Sequence, residues 1–285
     1  MSKIWLVTGA ARGLGRSIAE AAVAAGERVV ATARNPRRLE DLQAPRGADL
    51  RILALDVTSS EAAQAAVDFA IETFGRLDVV VNNAGYGHVT PFEQTNEADF
   101  RLQVETNFYG VVNLTRAALP AMRRQRSGYI INISSLGGRL STPGLSAYQA
   151  AKWAVGGFTE VLAKETAAFG VKMVAIEPGG MRTGWVAAAT DSAPKLLADY
   201  EPSVGAMIGA MRAAVGREIG DPAKIAEVIV DLTTREALPA HLVLGKVALR
   251  LCSDAEAARQ AEAAEWADIS ASTDFVDPPQ SGTRQ

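Results

Sequence analysis

Cysteine and histidine are nearly missing from this chain. Cys252 is the single cysteine among 285 residues, and His88 and His241 are the only histidines. One thiol cannot close an intrachain disulfide or build a cysteine zinc site. Two histidines leave little for a histidine metal centre, so no metal is expected. Long hydrophobic runs are missing too, since none approaches the ~20 residues that span a bilayer. The opening run Ile4-Trp5-Leu6-Val7 is closed by Gly9 and is too short for a secretory signal. The expectation is a cytoplasmic, reduced protein without membrane association. Charge of one sign is also lacking. The formal net charge is −3, and the pairs Arg37-Arg38 and Arg123-Arg124 read as solvated helix faces. No basic footprint for nucleic acid is present.

What is present is ordinary globular material, 48% hydrophobic and 21% charged. Short runs rich in Val, Ile and Leu at 4–8, 28–32, 50–55, 79–82, 129–133 and 172–176 read as buried strands. Helical patterns lie between them at 14–26, 61–74, 97–124 and 146–169. Such alternation predicts an α/β fold, a doubly wound parallel sheet with helices on both faces. Residues 184–215 carry Gly, Pro and Met among weak helical signals and read as a mobile flap over the active site. Asp221-Pro222 should start a helix, with Asp221 as N-cap. A last strand is expected at 241–245, which brings the sheet to about seven strands. A helix follows at 255–267, and a loose tail from Ser270. Without repeats or a linker, the chain reads as one catalytic domain over 1–251 followed by a C-terminal helix and tail over 252–285.

Thr8-Gly9-Ala10-Ala11-Arg12-Gly13-Leu14-Gly15 stands after the first strand and before the first helix. A helix N-terminus reached through glycines offers free N–H groups and a positive dipole end to a pyrophosphate. NAD-selective sites place an acid at the end of strand two for the ribose 2′-hydroxyl. Here Arg34 stands there, with Arg12 in the glycine loop. Two guanidinium groups from different loops suit a 2′-phosphate, so NADP(H) is expected over NAD(H).

Tyr148 and Lys152 stand one helical turn apart and project from one face. An ammonium close to a phenol favours the phenolate and lowers the tyrosine pKa toward useful acid–base chemistry. Ser135, just past the fifth strand, can hydrogen-bond a substrate oxygen and its developing charge.

Together these motifs resemble the short-chain dehydrogenase/reductase family. The glycine loop has its Gly-x-x-x-Gly-x-Gly spacing. Asn82-Asn83-Ala84-Gly85 matches its Asn-Asn-Ala-Gly motif, and Ser135, Tyr148 and Lys152 match its catalytic spacing. The likeness covers about 3–185, and 220–250 more weakly. It implies a Rossmann fold and hydride transfer between a nicotinamide and a carbonyl or secondary alcohol. Tyr148 would handle the proton on oxygen, and Lys152 would lower its pKa and bind the nicotinamide ribose. Ser135 would orient the carbonyl, and Asn107 would hold a water behind Lys152. The resemblance further implies that Asp56 and Val57 lie near the adenine. Asp56 also reads as a strand-end cap, and both readings stand. Asn83, Ala84 and Gly85 would line the cofactor, with Pro178, Gly179 and Thr183 at its nicotinamide end.

If that fold is right, Tyr86, His88, Leu136, Leu140, Leu145, Met181 and Trp185 flank the reacting carbon, and a mainly apolar ketone or alcohol suits them. His88 reads equally as a plain loop histidine. The core most resembles the hydroxysteroid- and retinol-dehydrogenase-like branch. Two rivals are an extended-type epimerase or dehydratase and a non-catalytic NADP-binding regulator. The first needs another glycine spacing, and the second is expected to lose the Tyr/Lys pair. By analogy the helices at 97–124 and 146–169 would form a homodimer or homotetramer. Their small residues Ala150, Ala151, Ala154 and Gly157 suit intramolecular packing equally well.

Overall fold

The computed structural model describes residues 2–43 and 47–275. Seven strands form one parallel sheet in the order β3-β2-β1-β4-β5-β6-β7. They are β1 (Ile4–Val7), β2 (Arg28–Ala33), β3 (Leu50–Ala54), β4 (Val79–Asn82), β5 (Gly128–Ile133), β6 (Val171–Pro178) and β7 (His241–Leu244). The side-chain period of two explains why nearly every strand residue is apolar. Trp5, Val7, Val29, Val79, Val81, Ile131, Val174 and Ile176 pack on one face. Their neighbours Leu6, Val30, Val80, Ile130 and Met173 pack on the other.

Helices α1 (Gly13–Ala24) and α8 (Pro222–Leu232) cover the first face, through Ile18, Ala22, Ile225 and Ile229. Helices α2 (Ser60–Phe74) and α4 (Gly110–Gln125) cover the second, through Ala63, Val67, Leu114 and Met122. The N-cap of α8 is Asp221, whose carboxylate accepts from the N–H groups of Ala223 and Lys224.

Three sequence expectations change, and the 184–215 segment gains detail. The helix expected over 97–124 is interrupted: α3 (Glu97–Val104) passes into α4 through a π-helical turn, Glu105–Tyr109. The 184–215 segment carries α6 (Trp185–Asp191) and α7 (Ala206–Ala214), which gather around Val89, Leu145, Val204 and Ile208. Helix α2 is capped by Ser59, whose hydroxyl accepts from Ala62 N–H, not by Asp56. Finally, the C-terminal helix α9 begins at Lys246 and runs to Glu265, so position 251 falls inside it. Buried Ala248 and Cys252 hold its first turns, which is why it starts before the Ala/Glu-rich pattern. A short helix, Ala267–Ala271, follows where the tail was expected to loosen, and the tail past 275 lies outside the described residues. Helix α5 (Ser146–Thr166) carries the Tyr/Lys motif. No helix among the described residues is long and apolar enough to cross a membrane.

Candidate active site

Strand ends and helix starts meet along the carboxyl edge of the sheet, at the point where its order turns from β1 to β4. Gly9 and Gly13 carry the chain through left-handed turns, with φ of 65° and 57°. The loop is tied to the end of β4 by a residue that motif reading passed over. Thr8 Oγ1 accepts from the N–H groups of Asn83 (2.9 Å) and Ala84 (3.0 Å), while Asn83 Nδ2 donates to Thr8 O (2.9 Å). Only the placement of Thr8 directly after β1 could have signalled this.

Three helices carry side-chain caps that α1, like α5, α6 and α9, lacks. Ser59, Asn96 and Asp221 satisfy the first turns of α2, α3 and α8 with side-chain oxygens. The N-cap of α1 is Arg12, which makes no such bond, and its first turn holds no acid. Its free N–H groups and dipole therefore fit an external anion. Leu14 and Gly15 are buried behind them. Arg34 is exposed directly after β2, and neither Arg12 nor Arg34 has an ion pair among the described residues. Arg34 is close enough for its charge to act on the Tyr86 hydroxyl, whose pKa burial pushes up. Asp56 is exposed past β3, its Oδ1 accepting from Thr58 N–H and hydroxyl, and Val57 is buried beside it. These residues fit a dinucleotide.

Ser135, Tyr148 and Lys152 sit deeper. Ser134 and Ser135 diverge: Ser134 Oγ donates to Lys152 O (3.0 Å), whereas Ser135 Oγ accepts from Gly137 N–H (3.0 Å). That acceptor bond leaves the Ser135 hydroxyl proton free to point at the site. Tyr148 lies within hydrogen-bonding reach of Ser135. Burial nevertheless dominates and pushes the tyrosine pKa up to about 12. Lys152 is buried, and the same cost of charge brings its pKa down to about 8. Its Nζ donates to Ile133 O at 2.7 Å and lies 5.7 Å from the Tyr148 ring centre. The contact with Ser135 opposes the rise at Tyr148, and burial outweighs it.

Asn107 lies in the π-helical turn, fully buried. The turn frees its amide to donate to Tyr86 O (2.7 Å) and accept from Tyr86 N–H (3.2 Å). Gly85 is required between them: a Cβ there would stand 2.5 Å from Asn107 Oδ1 and 3.5 Å from Lys152 Nζ. Beneath, Asn82, Asn132 and Thr159 form a buried chain that fixes β4 and β5 against α5.

Past β6, Pro178 ends the strand and Gly179 N–H donates to Leu244 O (3.1 Å). Thr183 closes on the glycine loop, since a Cβ on Gly13 would lie 3.1 Å from its Cβ. Trp185 then covers Tyr148, their rings 4.9 Å apart. Leu145 is buried in the same cluster, while Leu136 and Leu140 flank the turn after Ser135. Met181 instead packs toward the sheet core. His88 Nδ1 is engaged by Asp99 at 3.0 Å, and its N–H by Gln103, which favours the plain loop reading. A cavity of about 560 Å³ lies elsewhere, lined by Phe92, Phe100, Val104 and Tyr109 on the outer side of α3.

The model of the short chain dehydrogenase family matches residues 3–193. The chain belongs to the short-chain dehydrogenase family. Oxidoreductase BOA17 of Botryotinia fuckeliana is 44% identical over 271 residues, covering 95% of this chain and 98% of that one. The crystal structure of a short-chain dehydrogenase from Streptomyces avermitilis is 41% identical, covering 96% and 100%, with a TM-score of 0.88. More distant short-chain dehydrogenase structures hold different nicotinamides. A metagenomic oxidoreductase in complex with NADP is 28% identical (86% and 97% covered, TM-score 0.69). One from Burkholderia phymatum in complex with NAD is 25% identical (97% of each, TM-score 0.77). The family fixes an oxidoreductase that uses a nicotinamide cofactor.

Proposed function

We propose that this short-chain dehydrogenase is an NADPH-dependent ketoreductase acting on a mainly apolar ketone. The observation that carries this reading is the convergence of Ser135, Tyr148 and Lys152, with Tyr148 in its protonated form at neutral pH and able to give that proton to a carbonyl oxygen. Bound nicotinamide supplies the hydride that reaches the substrate carbon. Tyr148 donates its proton to the substrate oxygen as negative charge develops there. Ser135 holds that oxygen through its free hydroxyl proton. Lys152 would bind the nicotinamide ribose and place positive charge behind Tyr148. Asn107, on the far side of Gly85, would hold the water that links Lys152 to solvent.

Arg12 and Arg34, exposed and without acidic partners among the described residues, would grip the 2′-phosphate and favour NADPH over NADH. The α1 N-terminus with Gly9, Gly13, Leu14 and Gly15 would take the pyrophosphate, and Asp56 with Val57 the adenine. Asn83, Ala84 and Gly85 would line the cofactor, with Pro178, Gly179 and Thr183 at the nicotinamide end. The segment 184–215 would cover the substrate, with Trp185 and Leu145 supplying apolar wall. The exposed Phe92, Leu102 and Tyr109 beside the α3 cavity suit a second copy of the chain in a cytoplasmic homodimer or homotetramer. Sedimentation of the pure protein tests that assembly, and a monomer at micromolar concentration refutes it.

The functional test follows NADPH and NADH oxidation with a panel of apolar ketones, aldehydes and charged sugars. Turnover of apolar ketones with NADPH preferred is expected. Tight NADPH binding without turnover of any carbonyl would favour a regulator.

A further inference from the structure

Helix α9 lies wholly beyond residues 3–193, yet it reaches the catalytic loop. The loop after β5 is a tight turn. Ser135 caps it, Gly138 N–H donates to Ser135 O (2.8 Å), and Arg139 N–H donates to Leu136 O (2.9 Å). The position of Ser135 Oγ is therefore set by where this turn sits. From below, the turn is pressed on α5: a Cβ on Gly138 would lie 2.8 Å from Ser134 Oγ and 2.9 Å from Lys152 O.

From outside, α9 holds it at two points, both on Arg139, and also rests on the neighbouring Trp153. Glu256 pairs with the Arg139 guanidinium. Arg259 donates to Arg139 O at 3.0 Å, and its guanidinium lies 5.4 Å over the Trp153 ring. Trp153 follows Lys152 on α5, and its Nε1 donates to Leu140 O (3.4 Å). The Arg139 side chain is only 26% exposed, and its inner side faces the charge of Glu177. That carboxylate is buried at the end of β6, with Oε1 on His241 Nδ1 (2.8 Å) and Oε2 without a hydrogen-bond partner among the described residues. Arg139 thus lies between a buried carboxylate beside Pro178 and the Glu256 carboxylate on α9.

We propose that Glu256 and Arg139 are positioning residues: through them, α9 fixes the 135–140 turn and with it the Ser135 hydroxyl against the substrate oxygen. This rests on the assignment of Ser135 to that oxygen. Neither residue is among those assigned to substrate or cofactor, so their effect belongs in the chemical step and not in nicotinamide binding.

The test is a double-mutant cycle on the full chain, reading kcat and KM for NADPH-dependent reduction of the ketone found in the panel. Glu256→Gln should lower kcat about tenfold while the NADPH Kd stays within twofold, since sub-ångström misplacement of a catalytic group acts on turnover. Glu256→Asp should restore part of the loss. In a Ser135→Ala background, Glu256→Gln should change kcat less than twofold, because the group it positions is gone. Equal tenfold losses in both backgrounds would show general weakening of the fold and overturn the proposal, as would an unchanged kcat in folded Glu256→Gln. If Ser135→Ala itself retains full kcat, the assignment of Ser135 fails and the positioning role falls with it. The first two results leave that assignment standing.

Discussion

Between Thr8 and Gly85, the side of the cleft assigned to the cofactor is built mainly from backbone: glycines, an uncapped helix start, and amides tied together by Thr8 and Asn83. The opposite side is built from side chains that arrive from Ser135, Tyr148 and Lys152, with Trp185, Arg139 and Glu256 around them. Backbone can hold phosphates of any nucleotide, and it needs only turns of the right shape. Moving a proton needs groups whose charge is tuned by burial, and burial has to be assembled from several parts of the chain. The contrast predicts that the two sides fail separately. A change on one should spare the measurement that reports on the other.

The largest separation is expected at Tyr148. Tyr148→Phe removes the proton donor but keeps the ring that packs on Trp185. Turnover should fall by about 10³-fold, while NADPH titrated by fluorescence binds within twofold of the parent. Substantial retained turnover would falsify the proton-transfer role. The mirror experiment is Arg34→Asp. It places an acid where a free ribose 2′-hydroxyl can use it and a 2′-phosphate is repelled. The ratio of kcat/KM for NADPH over NADH should fall by about 10²-fold, since a charge-paired phosphate contact is worth a few kcal/mol. Saturating kcat should hold. An unchanged ratio would show that Arg34 stays in solvent when cofactor binds.

The same division explains what could be read in advance. The parallel sheet and its seven strands follow from the period of short apolar runs, because strands buried on both faces need apolar residues at every position. The glycine loop and Tyr148/Lys152 are local in sequence and visible for that reason. What was not legible depends on distance. Nothing around Asn107 announces a π-helical turn, or that its amide meets Tyr86 across a loop. The reach of α9 to Arg139 joins residues 117 apart, and no short pattern records such a pairing. The sign of the tyrosine shift also depends on burial. Spacing shows a lysine nearby, but only the packed structure shows how much water the hydroxyl loses.

Burial gives a third prediction, on pH. Lys152 has its pKa brought down to about 8, so it is charged below that value and neutral above it. Tyr148, at about 12, stays protonated across the same range. The kcat/KM for ketone reduction should therefore be level below pH 8. It should then fall by up to about tenfold per unit above, following the free enzyme. Lys152→Met should abolish that break along with most activity. A profile that instead rises through pH 8 would mean that neutral Lys152 is the working form.

The smallest effect tests the boundary between the two sides. Trp185 belongs to α6 on the covering segment, only two residues past Thr183, which leans on the glycine loop. If its indole serves the substrate alone, Trp185→Ala should raise KM for an apolar ketone about fivefold, near 1 kcal/mol of lost apolar contact. The KM for NADPH should not move. Smaller carbonyl substrates should lose less, because they leave the indole uncovered in the parent as well. If both KM values rise together, the covering segment binds as one unit with the glycine loop through Thr183 and Gly13. The cleft would then have one shared wall, and the separation of its two sides would end at residue 183.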